Sequence, residues 1–157
     1  MAPQTGIILS GYFSPLHVGH LDMLEDAATR ADQLIVIVNN NAQQVMKKGK
    51  VIIDEKDRLR VVNALQAVDH AFVAVDEDRT VSASLAHAFE LFPGLTLSFG
   101  NGGDRKPEFV PEAAICNELG IDLVFGVGGN QKVDSSSRIN VELGLESAPS
   151  APPSTTT

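Results

Sequence analysis

Gly11-Tyr12-Phe13-Ser14-Pro15-Leu16-His17-Val18-Gly19-His20 joins a short apolar run, Ile7-Ile8-Leu9-Ser10, to a stretch with helical spacing that begins near His20. The run before it is continuous rather than alternating, which is the pattern of a strand buried on both faces. After it, Leu21, Leu24, Ala27 and Ala28 share one helical face, with Asp22, Glu25 and Asp26 mostly opposite. Between them lies a turn with Gly11 and Gly19 at its ends and Pro15 inside. A buried strand that feeds a helix through such a turn is the building unit of parallel sheets.

The same unit recurs along the chain. Apolar runs at 34–38, 71–75, 95–99 and 121–125 predict four more strands. Asn39-Asn40-Asn41 stops the second, which leaves 39–50 as a polar loop carrying Lys48 and Lys50. Asp54 caps a predicted helix over 55–67, with Leu59, Val62 and Leu65 inward. Further helices are predicted at 82–92, ended by Pro93-Gly94, from Pro111 to 119, stopped by Gly120, and at about 135–143. The expected fold is one α/β Rossmann-like domain over 1–146, a parallel five-stranded sheet with helices on both faces. Residues 147–157, Ser-Ala-Pro-Ser-Ala-Pro-Pro-Ser-Thr-Thr-Thr, read as a disordered tail or as a linker to a second, covalently attached domain. In such sheets ligands gather beyond the carboxyl ends of the strands, where the strand order reverses. The polar segments 11–20, 39–50, 100–106 and 126–138 all follow strands, so they should meet on one rim.

Composition narrows the class. Hydrophobic residues make up 43% and charged residues 20%, the mix of a soluble globular domain. No stretch approaches the roughly 20 apolar residues that cross a bilayer, and the start lacks the basic and apolar pattern of a signal peptide. A cytoplasmic location is the expectation. The single cysteine, Cys116, excludes an internal disulfide and a cysteine-based zinc site within one chain. A net charge of −8 argues against general nucleic-acid binding. A small anion needs only local positive potential, which Lys47, Lys48, Lys50, Lys56, Arg58 and Arg60 supply.

The chemistry is concentrated at the first turn. A helix N-terminus presents free N–H groups and a positive dipole end, a ready phosphate site. Gly11 and Gly19 would let backbone approach a ligand. His17 and His20 add donors that can follow charge as it builds on a phosphate; the alternative is that they only cap the helix. His70 and His87 have no motif around them and read as structural, and Cys116 reads as a helix core residue.

The segment Gly11 to His20 resembles the Gly-x-Phe-Asp-x-x-His-x-Gly-His signature of the nucleotidylyltransferase superfamily, with Gly11, Phe13, Pro15, His17, Gly19 and His20 matching and Ser14 in place of aspartate. Asp134-Ser135-Ser136-Ser137-Arg138-Ile139 resembles the family's second, hydroxyl-rich signature; the arginine that cytidylyltransferases carry five residues before its first hydroxyl is Asn130 here, with Lys132 nearby. Lys48-Gly49-Lys50 with Asp57-Arg58, and Gln66-Ala67-Val68-Asp69, resemble the lysine loop and the Arg-Tyr-Val-Asp segment of cytidylyltransferases.

The resemblance implies a cytidylyltransferase that moves CMP from CTP to a small phosphate- or phosphonate-bearing alcohol and releases pyrophosphate. It implies His17, His20 and Lys48 as catalytic residues. Gly11, Tyr12, Phe13, Ser14, Gly19, Asp104, Ser136, Ser137 and Arg138 are the implied nucleotide site, and Lys48 and Lys50 the implied acceptor site. No protein metal ligand is expected; Mg²⁺ would bridge phosphate oxygens. Two alternatives stand beside it: an adenylyltransferase using ATP on the same fold, and a nucleotide-binding regulatory module without turnover. Asn101 to Asp104, Gly126 to Gly129 and the tail resemble a cytidylyltransferase domain fused ahead of a phosphoenolpyruvate-mutase domain in fosfomycin biosynthesis. That implies 2-hydroxyethylphosphonate as acceptor, with glycerol or ethanolamine phosphate as alternatives. Expected partners are CTP and the anionic acceptor, no nucleic acid and no membrane, with a homodimer as one available assembly.

Overall fold

The computed structural model of the protein describes residues 4–102, 110–129 and 136–145. Five parallel strands, β1 (Gln4–Gly11), β2 (Gln33–Val38), β3 (His70–Val73), β4 (Leu95–Gly102) and β5 (Asp122–Val127), form one sheet in the order β3-β2-β1-β4-β5. Between them run α1 (Val18–Arg30), α2 (Asn41–Lys48), α3 (Glu55–Asn63), α4 (Ser82–Leu91) and α5 (Ala113–Leu119), and α6 (Ser136–Glu142) follows β5.

Alternate residues of each strand point to opposite faces, and both faces are dry. On one, Ile7, Leu9, Leu34 and Val36 pack against Leu24 and Ala27 of α1 and Val62 of α3. On the other, Ile8, Ile35, Ile37, Leu97 and Phe99 pack against Leu85 and Ala88 of α4 and Cys116 of α5. This double burial is why the strands read as continuous apolar runs. The fold is therefore the expected α/β domain with a five-stranded parallel sheet. Among the described residues, no helix is long and apolar enough to cross a membrane.

Two local expectations are corrected. The 39–50 segment is not a loop, because Asn41–Lys48 is α2. Asn40 Oδ1 accepts the Gln43 N–H at 2.8 Å, and Gln43 Oε1 accepts the Asn40 N–H at 3.0 Å, a reciprocal capping box. Gly49 ends the helix at φ 80°, its N–H donating to Val45 O at 2.8 Å. Gly100 and Gly102, expected just beyond the fourth strand, belong to the end of β4. A Cβ on Gly100 would lie 2.6 Å from Leu9 Cδ2 and 3.2 Å from Val127 Cγ2, so the glycine is needed for packing across the sheet.

The strand order reverses between β1 and β4. The turn after β1 thus stands at the switch point, where open parallel sheets bind ligands.

Candidate active site

The Gly11–His20 turn leaves β1 and enters α1 at its N-cap, His17. His17 Nδ1 accepts the Gly19 N–H at 3.1 Å, and His20 Nδ1 accepts the His17 N–H at 3.2 Å. A nitrogen that accepts cannot carry the ring proton, so in both imidazoles the proton is on Nε2. The rings stack with centroids 3.9 Å apart. Burial, with the neighbouring His17 adding to it, lowers the His20 pKa to about 4. His20 is therefore a neutral N–H donor at ordinary pH rather than an imidazolium.

Behind the rings, Phe13 is a buried wedge at φ 52°, its ring 4.9 Å from that of His20. A Cβ on Gly11 would meet that ring at 2.9–3.3 Å. The absent side chain at Gly11 thus makes room for Phe13. Ser14, 0% exposed, turns its hydroxyl into the interior. With both side chains buried, any contact of Phe13 or Ser14 with a nucleotide would run through the backbone. Tyr12 is half-buried, with Lys47 Nζ 4.4 Å over its ring.

Arg58 was read as part of the positive surface; it is 1% exposed. Its guanidinium donates to Tyr12 O (2.9 Å), Asn39 O (2.5 Å), Ile53 O (2.8 Å) and Asn41 Oδ1 (3.1 Å). It fastens the ends of β1 and β2 to each other and to the segment before α3, and it offers no face to an open ligand.

Lys48 stands half-buried in the last turn of α2 and Lys50 is exposed just past Gly49. Lys50 lines a pocket of about 380 Å³ whose other walls include Pro15, Ile52, Ile53, Asn140 and Leu143. Ser136 and Ser137 open α6, but their side chains are not among those described. Arg138 is exposed on α6 and pairs with Glu142 at 2.7 Å. Asp104, Asn130, Lys132 and the 147–157 tail lie outside the described residues. No group of three or more His, Cys, Asp or Glu suited to a metal occurs among the described residues.

The Val68-Asp69 phrase falls at the other end of the sheet. Asp69 Oδ2 accepts the Leu34 N–H at 2.7 Å at the start of β2, so it fastens the strand entry and takes no part at the rim. His70 bonds Gln33 Oε1 at 2.8 Å at the start of β3, and His87 packs edge-on against Phe72. Cys116 is buried in the core, and burial pushes its thiol pKa up to about 11.

Sequence reasoning missed three anchors. Asp76 Oδ2 accepts the Ala83 N–H at 2.6 Å, and its other oxygen bonds Ser84, which fixes the start of α4. Asp26, placed on the solvent side, accepts the Gly128 N–H at 2.7 Å and ties α1 to the end of β5. Asn140 Nδ2 donates to Ser14 O at 2.9 Å across 126 residues. Only a polar residue on an otherwise apolar helix face could have hinted at the last.

The family model described as cytidylyltransferase-like matches residues 8–147. A FAD synthase of Methanosphaerula palustris is 33% identical over 142 residues, 89% of this chain and 87% of that protein. A FAD synthase of Methanohalophilus mahii is 42% identical over 75 residues, 48% of this chain, and the match spans only 52% of that relative's length. The crystal structure of a lipopolysaccharide core biosynthesis protein from Thermoplasma volcanium superposes with a TM-score of 0.56 at 24% identity, covering 78% of this chain and 93% of that one, a likeness of fold. Matched over nearly its whole length, with paired imidazoles at the sheet's switch point, the chain belongs to the cytidylyltransferase-like family of the nucleotidylyltransferase superfamily.

Proposed function

We propose that this protein transfers a nucleoside monophosphate from a nucleoside triphosphate, bound as its Mg²⁺ complex, to the phosphate or phosphonate oxygen of a small acceptor. The observation that carries the reading is the pair of Nε2–H donors, with tautomers fixed by Nδ1 bonds, at the entrance of α1. The acceptor oxygen attacks the α-phosphorus in line, the bond to the β-phosphate oxygen breaks, and pyrophosphate leaves. No protein nucleophile is required. Catalysis of this kind rests on positioning and on donors aimed where charge develops. His17 and His20 would follow that charge, Lys48 would sit between donor and acceptor, and Lys50 would hold the acceptor's anion. Ser136, Ser137 and Arg138 would take the outer phosphates.

The donor is read as ATP. The relatives named FAD synthase make a dinucleotide whose nucleotide half is adenylate, and the Val68-Asp69 phrase that favoured CTP belongs to a strand entry. CTP is the second reading, favoured by the family description and by the Lys48-Gly49-Lys50 sequence. Acceptors to be tried are 2-hydroxyethylphosphonate, glycerol phosphate, ethanolamine phosphate and riboflavin phosphate. Pyrophosphate release with each triphosphate and each acceptor tests the assignment. A higher rate with ATP supports the first reading, preference for CTP moves the protein to the second, and release with neither contradicts both.

A further inference from the structure

We propose that Asn140 is a positioning residue that docks α6 on the histidine turn, so that His17, His20 and the Ser136-Ser137-Arg138 segment meet one nucleotide in register. The inference rests on the functional reading above and assigns a role to the residue that directly follows Ile139 of the second signature.

Asn140 is 0% exposed although it is polar and lies on a helix of 7 residues. Helices that short do not hold themselves in water, so the position of α6 depends on what it touches. Its Nδ2 donates to Ser14 O at 2.9 Å, three residues before the N-cap histidine. The backbone of the same residue closes the helix. Asn140 O accepts the Leu145 N–H at 2.7 Å and Val141 O accepts the Gly144 N–H at 3.0 Å, with Gly144 at φ 76°. That paired closure is the Schellman arrangement, which fixes the last turn. Asn140 thus joins the helix stop to the turn it rests on. Ser136 and Ser137 stand one helical turn before it, and the ion pair of Arg138 with Glu142 lies on the exposed side of the helix. Any rotation of α6 about the Ser14 contact would move its opening residues relative to the imidazoles. In-line transfer tolerates little such misplacement.

The variants Asn140→Leu and Asn140→Asp keep the side-chain size and remove the donor. Val62→Ala, a core change in α3 away from the rim, serves as the comparison for general loss of stability. Calorimetric titration with Mg²⁺ and inorganic pyrophosphate should show a Kd raised about 10-fold or more in both Asn140 variants and unchanged in Val62→Ala. In turnover the nucleotide KM should rise more than kcat falls, the reverse of His17→Ala. A pyrophosphate Kd within about twofold of wild type in folded Asn140 variants overturns the proposal while leaving the functional reading intact. If neither variant folds, hydrogen exchange of the wild-type protein decides. Added pyrophosphate should protect 13–20 and 136–142 together, and protection of one segment alone overturns the coupling. Absence of both pyrophosphate binding and turnover in the wild type overturns the coupling and the functional reading at once.

Discussion

His20 accepts the backbone N–H of His17 at 3.2 Å through Nδ1, while the two rings stack at 3.9 Å. Together with the Gly19 N–H on His17 Nδ1, this makes each histidine a cap of α1 and fixes its tautomer in the same act. Helix capping uses Nδ1 of each ring, whereas the proposed phosphate contact would use Nε2, so the two do not compete.

His17→Ala and His20→Ala should each lower kcat by roughly 10²-fold or more, the effect of losing a preorganised donor. Each should also lose about 1 kcal/mol of stability, the usual cost of a missing cap. Turnover and urea unfolding on the same preparations separate the two effects. A double variant with full activity contradicts the proposed mechanism.

Acid should weaken the fold through His20. Its folded pKa is near 4 while the unfolded imidazole titrates near the ordinary 6.5, so between those values the unfolded chain binds more protons. The stability this group contributes is present above about pH 6.5 and lost as the pH falls towards 4. Tm measured across that window should fall with pH in the wild type and fall less steeply in His20→Ala. Equal slopes would mean that His20 titrates normally.

Arg58→Met should destabilise the protein by about 3 kcal/mol or more, since it leaves the buried carbonyls of Tyr12, Asn39 and Ile53 without their donor. Chemical denaturation gives the value. A loss under about 1 kcal/mol would show that water replaces the guanidinium.

The sheet was legible because its strands are buried on both faces, so apolar runs such as 34–38 announce themselves without their partners. The first motif was legible because glycines and histidines cluster between a strand and a helix. α2 was hidden by its own cap: Asn39-Asn40-Asn41 looks like a stop, although asparagine at the N-cap, Gln43 three residues on and Gly49 at the end spell a helix. The burial of Arg58 is hidden because sequence shows charge and not burial; three backbone carbonyls from separate segments, the Asn41 side chain and the Glu55 and Asp54 carboxylates make an internal cation tolerable. The Asn140 contact spans 126 residues, so its partner leaves no mark near Asn140 beyond the polar residue itself.

Lys48 now stands at the end of a capped helix rather than in an open loop, and that sharpens the expectation for it. Lys48→Ala should lower kcat/KM by about 10-fold or more against both nucleotide and acceptor, a decade being about 1.4 kcal/mol. Lys50→Ala should act mainly on the acceptor, because Lys50 lines the pocket beside Pro15. Varying each substrate in turn distinguishes the two lysines. Unchanged kinetics in Lys48→Ala would remove that residue from the site.

The central claim is transfer of the α-phosphoryl group under the two histidines, and phosphorus NMR tests it most directly. Wild-type protein with Mg²⁺, ATP or CTP and the acceptor panel should yield pyrophosphate together with a new phosphoanhydride joining the nucleotide α-phosphorus to the acceptor. The His17→Ala/His20→Ala double variant should form neither at a comparable rate. Release of orthophosphate and nucleoside diphosphate in place of pyrophosphate, or product formation undiminished in the double variant, would contradict the account.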